Sequence, residues 1–269
     1  MGNYPFYWVD AFTEQPFKGN PAAVCLIKTD LNDSLYQNIA FEINLSETAF
    51  AEKIGESEYK LRWFTPVLEM PLCGHATLAT AHILFTKSGE KSPISFHTKS
   101  GVLKVSNTPE GIRLTFPVFP STKAEPPAEL LQALGVKNPL DSVYEKSMGA
   151  YLLLLKDEKA IESVEPNFEA LNKICKKHGL IAAIVTTRSS DKFDFVSRVF
   201  APGAGVNEDP VTGLAHCMLV PYWASKLGKS KLRAYQKSKR GGELGLELLG
   251  ETIYITGKAV TLLEGKISV

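Results

Sequence analysis

Gly74-His75-Ala76-Thr77-Leu78-Ala79-Thr80-Ala81-His82-Ile83-Leu84-Phe85 contains no Asp, Glu, Lys or Arg. Gly213-Leu214-Ala215-His216-Cys217-Met218-Leu219-Val220-Pro221-Tyr222-Trp223-Ala224 contains none either. Each run is long enough for about three helical turns, and a helix lying on a surface would show a charged face. Both are therefore expected to be enclosed on all sides. The sequence around them reads as short alternating strands, such as Ile112-Arg113-Leu114-Thr115-Phe116 and Thr252-Ile253-Tyr254-Ile255. This predicts an α+β protein of two β-rich, barrel-like halves, each sheet wrapping one central helix. The other arrangement open to these residues is one larger α/β domain with two ordinary core helices. Pro221, which lacks an amide proton, predicts a kink or an end in the third turn of the second helix.

Further pairs extend outward from the two runs. Arg62-Trp63-Phe64-Thr65-Pro66 precedes the first and Arg198-Val199-Phe200-Ala201-Pro202 the second. Both read R-x-F-x-P, and the turn that follows is three residues longer in the second copy. Upstream, LYQNIAFEINL from Leu35 parallels LNKICKKHGL from Leu171, each a helical pattern ending at Asn or Gly before an apolar run. Downstream, FHTKSGVLKVSNTPEGIRLTF and YQKSKRGGELGLELLGETIYI are β-rich stretches broken by glycine turns. Self-similarity on this scale implies a duplicated unit. The seam is expected in the Pro-rich stretch Phe116 to Pro127, giving an N-terminal half 1–117 and a C-terminal half 118–269, with the last strand able to cross back.

Thirty Lys and Arg against 29 Asp and Glu leave no positive field for a nucleic acid backbone or an anionic membrane. The N-terminal MGNYPFYWVDAF lacks signal-peptide character, and no apolar run reaches the ~20 residues of a membrane span. The chain is read as soluble and cytoplasmic. Its four cysteines, Cys25, Cys73, Cys175 and Cys217, contain no CxxC pair and are expected as reduced thiols. His75, His82 and His216 could be imagined around a metal, but no zinc spacing supports it, so no metal is expected. No GxGxxG, GxxxxGK[ST] or GxSxG stretch occurs, which argues against a nucleotide cofactor or a serine hydrolase.

Both charge-free helices begin after a glycine-containing turn. Their first amides lack intrahelical partners and carry the positive end of the dipole, which suits a carboxylate or a developing enolate. If the halves are related by a pseudo-twofold axis, both helix starts can face one cleft. The titratable residues beside these turns are Cys73, His75, Glu208 and Asp209. Cys73, just ahead of a helix, is expected to have a lowered thiol pKa. Cys217, His82 and His216 read as core residues. Glu47, in Asn44-Leu45-Ser46-Glu47-Thr48, stands where a helix ends and a strand begins. Its same-face neighbours Ala49 and Ala51 are small enough to leave room for a ligand. The matching position in the second half, Ile181-Ala182, is apolar, so any acid/base pair is asymmetric.

These stretches resemble the PhzF-like (phenazine biosynthesis-like) isomerases, relatives of diaminopimelate epimerase. The resemblance rests on Asp10-Ala11-Phe12, Phe17-Lys18-Gly19-Asn20-Pro21-Ala22-Ala23-Val24, Asn44-Leu45-Ser46-Glu47-Thr48, Arg62 to Pro66 leading to Leu72-Cys73-Gly74-His75-Ala76-Thr77, Glu208-Asp209-Pro210-Val211-Thr212-Gly213, and Gln236 to Gly242. It implies the diaminopimelate epimerase-like fold, a homodimer, and no metal or organic cofactor. It further implies proton transfer by Glu47, assisted by His75 and Asp209, on a small carboxylate substrate in the cleft between the halves. Substrate contacts are implied at Asn20, Ser46, Cys73, Gly74, Thr212 and Gly213. One position departs: Leu214 stands where many members carry serine. Two other readings are a racemase or epimerase that uses Cys73, independent of pyridoxal phosphate, and a non-catalytic binding protein.

Overall fold

The computed structural model describes residues 2–269. They fall into two units, residues 2–116 with Tyr254–Val269, and Pro117–Ile253. In the first, β1 (Asn3–Ala11) and β2 (Asn20–Ile27) lead through α1 (Asp33–Ile43) to β3 (Glu47–Gly55), β4 (Glu58–Phe64) and the short β5 (Glu69–Met70). Then come α2 (Gly74–Thr86), β6 (Ile94–Thr98), β7 (Gly101–Thr108) and β8 (Gly111–Pro117). The second unit holds β9 (Thr122–Lys123), α3 (Ala128–Leu134), β10 (Asp141–Glu145), β11 (Ala150–Leu154), α4 (Glu158–Glu162) and α5 (Phe168–His178). It continues with β12 (Ala182–Arg188), β13 (Phe195–Ala201), β14 (Val206–Asp209), α6 (Gly213–Leu227), β15 (Lys231–Gln236) and β16 (Gly242–Leu249), and the chain passes back into the first unit at Tyr254, within β17 (Thr252–Gly257). The final strand, β18 (Ala259–Ser268), lies in the first unit and pairs antiparallel with β1.

Each unit contains two parallel strand pairs, and every such pair needs a crossover connection. In the first unit α1 links β2 to parallel β3, and α2 links β4 to parallel β6. In the second, α4 and α5 lie between β11 and parallel β12, while α6 lies between β13 and parallel β15. The helix caps match as well. Asn32 and Asn167 each accept an amide three residues on, and α1 and α5 end at Asn44 and Gly179 in left-handed conformation, φ 54 and 64°.

The paired R-x-F-x-P segments carry the same side-chain construction. Arg62 lies over the Phe64 ring, 5.0 Å from its centroid, and donates from Nε and Nη2 to the Glu69 carboxylate, both at 2.8 Å. Arg198 lies over Phe200 at 4.8 Å and donates from Nε and Nη2 to Glu208 at 2.7 and 3.0 Å. Planar two-point pairing of this kind fixes geometry as well as charge. Each arginine thereby ties the end of a central strand to the turn that leads into α2 or α6.

The charge-free helices are enclosed as expected. Ten positions of α2, from Gly74 to Leu84, are buried, and so are nine of α6, from Gly213 to Ala224. The expectation for Pro221 is corrected: α6 runs through it to Leu227. Proline at this position frees the Cys217 carbonyl one turn back. The amide of Phe119 donates to that carbonyl at 3.2 Å, so the helix continues without a stranded acceptor. All four cysteines are free and buried. Among the described residues no helix is long and apolar enough to cross a membrane.

Candidate active site

Glu47 opens β3, directly after the left-handed Asn44 ends α1, and pairs in register with Ala22 of parallel β2. Its side chain is 13% exposed, and its Oε2 lies 3.2 Å from His75 Nε2. His75 is the second residue of α2 and 6% exposed at its side chain. On its other edge Nδ1 faces Cys73 Sγ at 3.6 Å, and Ser46 Oγ lies 3.4 Å from Nε2. The first unit thus gathers Ser46, Glu47, Cys73 and His75. Cys73 is the N-cap of α2 and makes no side-chain capping bond; the first amides of a helix, here at Gly74 and His75, have no intrahelical partner and suit an anion. Asn20, the first residue of β2, is fully buried two residues before Ala22.

The second unit gathers Asp209, Thr212, Gly213 and one residue whose role the sequence did not disclose. Thr212 is the N-cap of α6, and its hydroxyl donates to the Asp209 carboxylate at 2.5 Å. Gln236, at the end of β15 and fully buried, spans the turn. Its Nε2 donates to the Asp209 carbonyl at 2.7 Å and to Thr212 Oγ1 at 3.1 Å, while its Oε1 accepts the Thr212 amide at 2.9 Å. Both ends of the Asp209–Thr212 turn are held by this one amide. His216, one turn into α6, is bonded through Nδ1 to the Thr212 carbonyl at 2.8 Å. Burial pushes its imidazole down to about 4, which keeps it neutral and fits the core reading. Cys217 is a fully buried thiol, as its position inside the apolar helix suggested.

The model of the phenazine biosynthesis-like protein family matches residues 9–265 of this chain. The chain belongs to the phenazine biosynthesis-like family. A protein of Halalkalibacterium halodurans called an uncharacterized isomerase is 46% identical over 99% of both chains. The crystal structure of a PhzF family protein from Enterococcus faecalis superposes with a TM-score of 0.91, at 41% identity over all of both chains. A protein of Pseudomonas aeruginosa described as a predicted epimerase, 21% identical over 99% of both chains, shares the fold with a TM-score of 0.75. The fold is therefore the epimerase-like α+β fold, and this phenazine biosynthesis-like chain is an isomerase.

Electrostatics divides the first cluster of the phenazine biosynthesis-like site. Burial disfavours charge on Glu47, but the His75 charge beside it outweighs burial and holds the carboxyl below its usual range. Burial likewise opposes the His75 imidazolium, and the facing Cys73 and Glu47 reverse the sign and raise it well above the ordinary histidine value. The expectation for Cys73 is corrected. Burial, the largest influence, raises its thiol, because a helix-start position lowers a thiol pKa only where solvent or charge can stabilise the thiolate. With Cys73 protonated, Glu47 is the anion that sustains the imidazolium.

Two outcomes follow. Glu47 stabilises the fold above the ordinary carboxylate pKa and loses that contribution as pH falls through its lowered value. His75 contributes below the ordinary histidine pKa and loses it as pH rises through its raised value. The ion pair is therefore worth most at about pH 5–6. The difference in thermal midpoint between wild type and His75→Gln should be widest there and narrow on both sides, as read by calorimetry across pH. For Gln236→Leu, the Thr212 amide and Asp209 carbonyl lose their buried partners. A displaced turn is expected to lower kcat/KM by about 10²-fold, with an unchanged circular dichroism spectrum as the control.

The imagined grouping of three histidines is not formed, since His82 stands two turns beyond His75 on the same helix and bonds Thr261 at 3.0 Å. Among the described residues, the one group able to hold a metal is Glu47, Cys73 and His75, whose donor atoms all lie within 4.8 Å of one another.

Proposed function

We propose that this isomerase moves a proton between carbons of a small carboxylate substrate, without a cofactor, and that Glu47 carries the proton. The observation that supports this most directly is the buried Glu47–His75 ion pair at the start of an uncapped, charge-free helix. Glu47 is held as a carboxylate and so enters the reaction as the base. It takes a proton from a substrate carbon and becomes a carboxylic acid. The electron pair left behind delocalises into the substrate's unsaturated or carboxyl group, where the amides at Gly74 and His75 offset the developing charge. Glu47 then returns the proton to a second carbon, and His75 restores the ion pair. Proton out and proton in balance, and no electrons are exchanged with any other reactant.

In the same reading Asp209 assists proton transfer, and Asn20, Ser46, Cys73, Thr212 and Gly213 contact substrate. Leu214 replaces a hydroxyl with an alkyl group beside Gly213, which favours a substrate whose group at that point is apolar. The protein works in the cytoplasm as a homodimer, with no nucleic acid or membrane partner. Cys73 as base is the second reading, favoured by its 3.6 Å approach to His75 and opposed by the burial that keeps it a thiol.

The test is deuterium wash-in from heavy water into a panel of small unsaturated and amino carboxylates, followed by mass spectrometry. The reading expects label at carbon in at least one class of these acids. Tight binding of such acids with no label in any of them would make the chain a binding protein instead. Light scattering coupled to size exclusion tests the dimer, and a monomeric mass would remove that part of the proposal.

A further inference from the structure

We propose that Glu47, Cys73 and His75 form a binding site for a zinc-type divalent cation, which switches the isomerase off by occupying its proton carrier. That a cation inhibits, though not that it binds, rests on the reading of Glu47 as the acid/base.

The donor set is one thiol, one imidazole and one carboxylate. This is the mixture that borderline cations such as Zn²⁺ take, whereas Mg²⁺ and Ca²⁺ ask for oxygen ligands in larger number. The spacing fits as well. With Zn–S of about 2.3 Å and Zn–N of about 2.0–2.1 Å, two ligands at a tetrahedral angle stand about 3.5 Å apart. Cys73 Sγ and His75 Nδ1 are 3.6 Å apart, and one donor atom from each of the three residues, a single ring nitrogen for His75, lies within 4.8 Å of the other two. Closing the triangle on a metal thus needs side-chain rotation only.

A second observation points to a ligand. Glu47 Oε2 is buried, and its ion-pair partner, His75 Nε2 at 3.2 Å, lies outside strict hydrogen-bond geometry, so the pairing leaves the carboxylate with unused acceptor capacity. A buried carboxylate oxygen in that state has a lone pair to give. The scaffold is rigid, because Cys73 and His75 flank Gly74 at the start of buried α2 and Glu47 opens β3. Thiolate, carboxylate and neutral imidazole around a dication sum to zero net charge, which removes the main penalty of filling a buried site. Three protein ligands leave a fourth position for water or a substrate carboxylate. On binding, the thiol and imidazolium protons pass to solvent.

The test is titration of the metal-free protein with Co²⁺, which reports a thiolate ligand as a near-ultraviolet charge-transfer band and a tetrahedral site as intense visible bands. The proposal expects one equivalent bound, displacement by Zn²⁺ and none by Mg²⁺. The charge-transfer band should vanish in Cys73→Ser and persist in Cys25→Ser, Cys175→Ser and Cys217→Ser. A thermal melt of each variant in metal-free buffer checks folding, and His75→Gln gives an independent arm in which affinity must fall even with Cys73 intact. Absence of one-to-one uptake by wild type, or a charge-transfer band that survives Cys73→Ser, would overturn the site. For inhibition, stoichiometric Zn²⁺ should stop deuterium wash-in by wild type and a chelator should restore it. Wash-in unaffected by bound Zn²⁺ overturns the switch but not the binding. Wash-in that survives Glu47→Gln overturns the acid/base reading and leaves the cobalt result standing.

Discussion

Glu47→Gln is expected to lower turnover by ~10²–10⁴-fold, the contribution of a positioned general acid/base. Glutamine keeps the length of the side chain and its ability to accept a hydrogen bond, but it cannot hold the migrating proton. The loss should fall on kcat, because the substitution does not touch the helix-start amides proposed to grip the substrate carboxylate. A further effect separates this account from simple disruption. Removal of the Glu47 charge takes from His75 one of the two neighbours, Cys73 and Glu47, that raise its pKa against burial, so the imidazole becomes neutral at lower pH. NMR titration of the His75 ring should show that downward move, and the residual activity should lose any dependence on the Glu47 carboxyl.

Leu78→Ala is expected to cost about 2–5 kcal/mol of stability, the usual range for a fully buried leucine truncated to alanine. Leu78 is 0% exposed at the middle of α2, and its surroundings offer little to fill the gap. Gly257 stands opposite, so close that a β-carbon built there would come within 2.9 Å of Leu78 Cδ1 and 2.4 Å of the Phe12 ring. Glycine has no side chain to swing into the void, and Ala76, Ala79 and Ala81 on the same helix are equally short. The midpoint of guanidinium unfolding should fall with an unchanged slope. Activity at low temperature should survive, because the substitution lies on the helix body rather than at its start.

The fold was legible where composition is constrained by burial. Two charge-free runs could be placed only in the interior, and the repeated R-x-F-x-P segments announced the duplication. Interactions that depend on distant partners were not legible in the same way. Pro221 promised a broken helix because the sequence does not show that Phe119 will donate to the Cys217 carbonyl. Cys73 promised a reactive thiolate because a position before a helix says nothing of how deeply the sulfur is buried. Gln236 stood within a quoted motif, yet its grip on Asp209 and Thr212 arises only when the end of β15 comes beside Ser197 of β13. The direction of the Glu47 side chain is of the same kind. Residues in the Asn44–Thr48 stretch can be singled out by sequence, but the 3.2 Å approach to His75 is a product of tertiary packing.

Glu47, rather than Cys73, is proposed to move the substrate proton. The most direct test is the rate of deuterium wash-in at a defined substrate carbon, measured side by side for wild type, Glu47→Gln and Cys73→Ala. Exchange is expected to collapse in Glu47→Gln and to persist in Cys73→Ala within about tenfold of wild type, a margin that allows for altered packing around His75. Exchange that persists in Glu47→Gln and collapses in Cys73→Ala would contradict this assignment and transfer the role of base to the thiol.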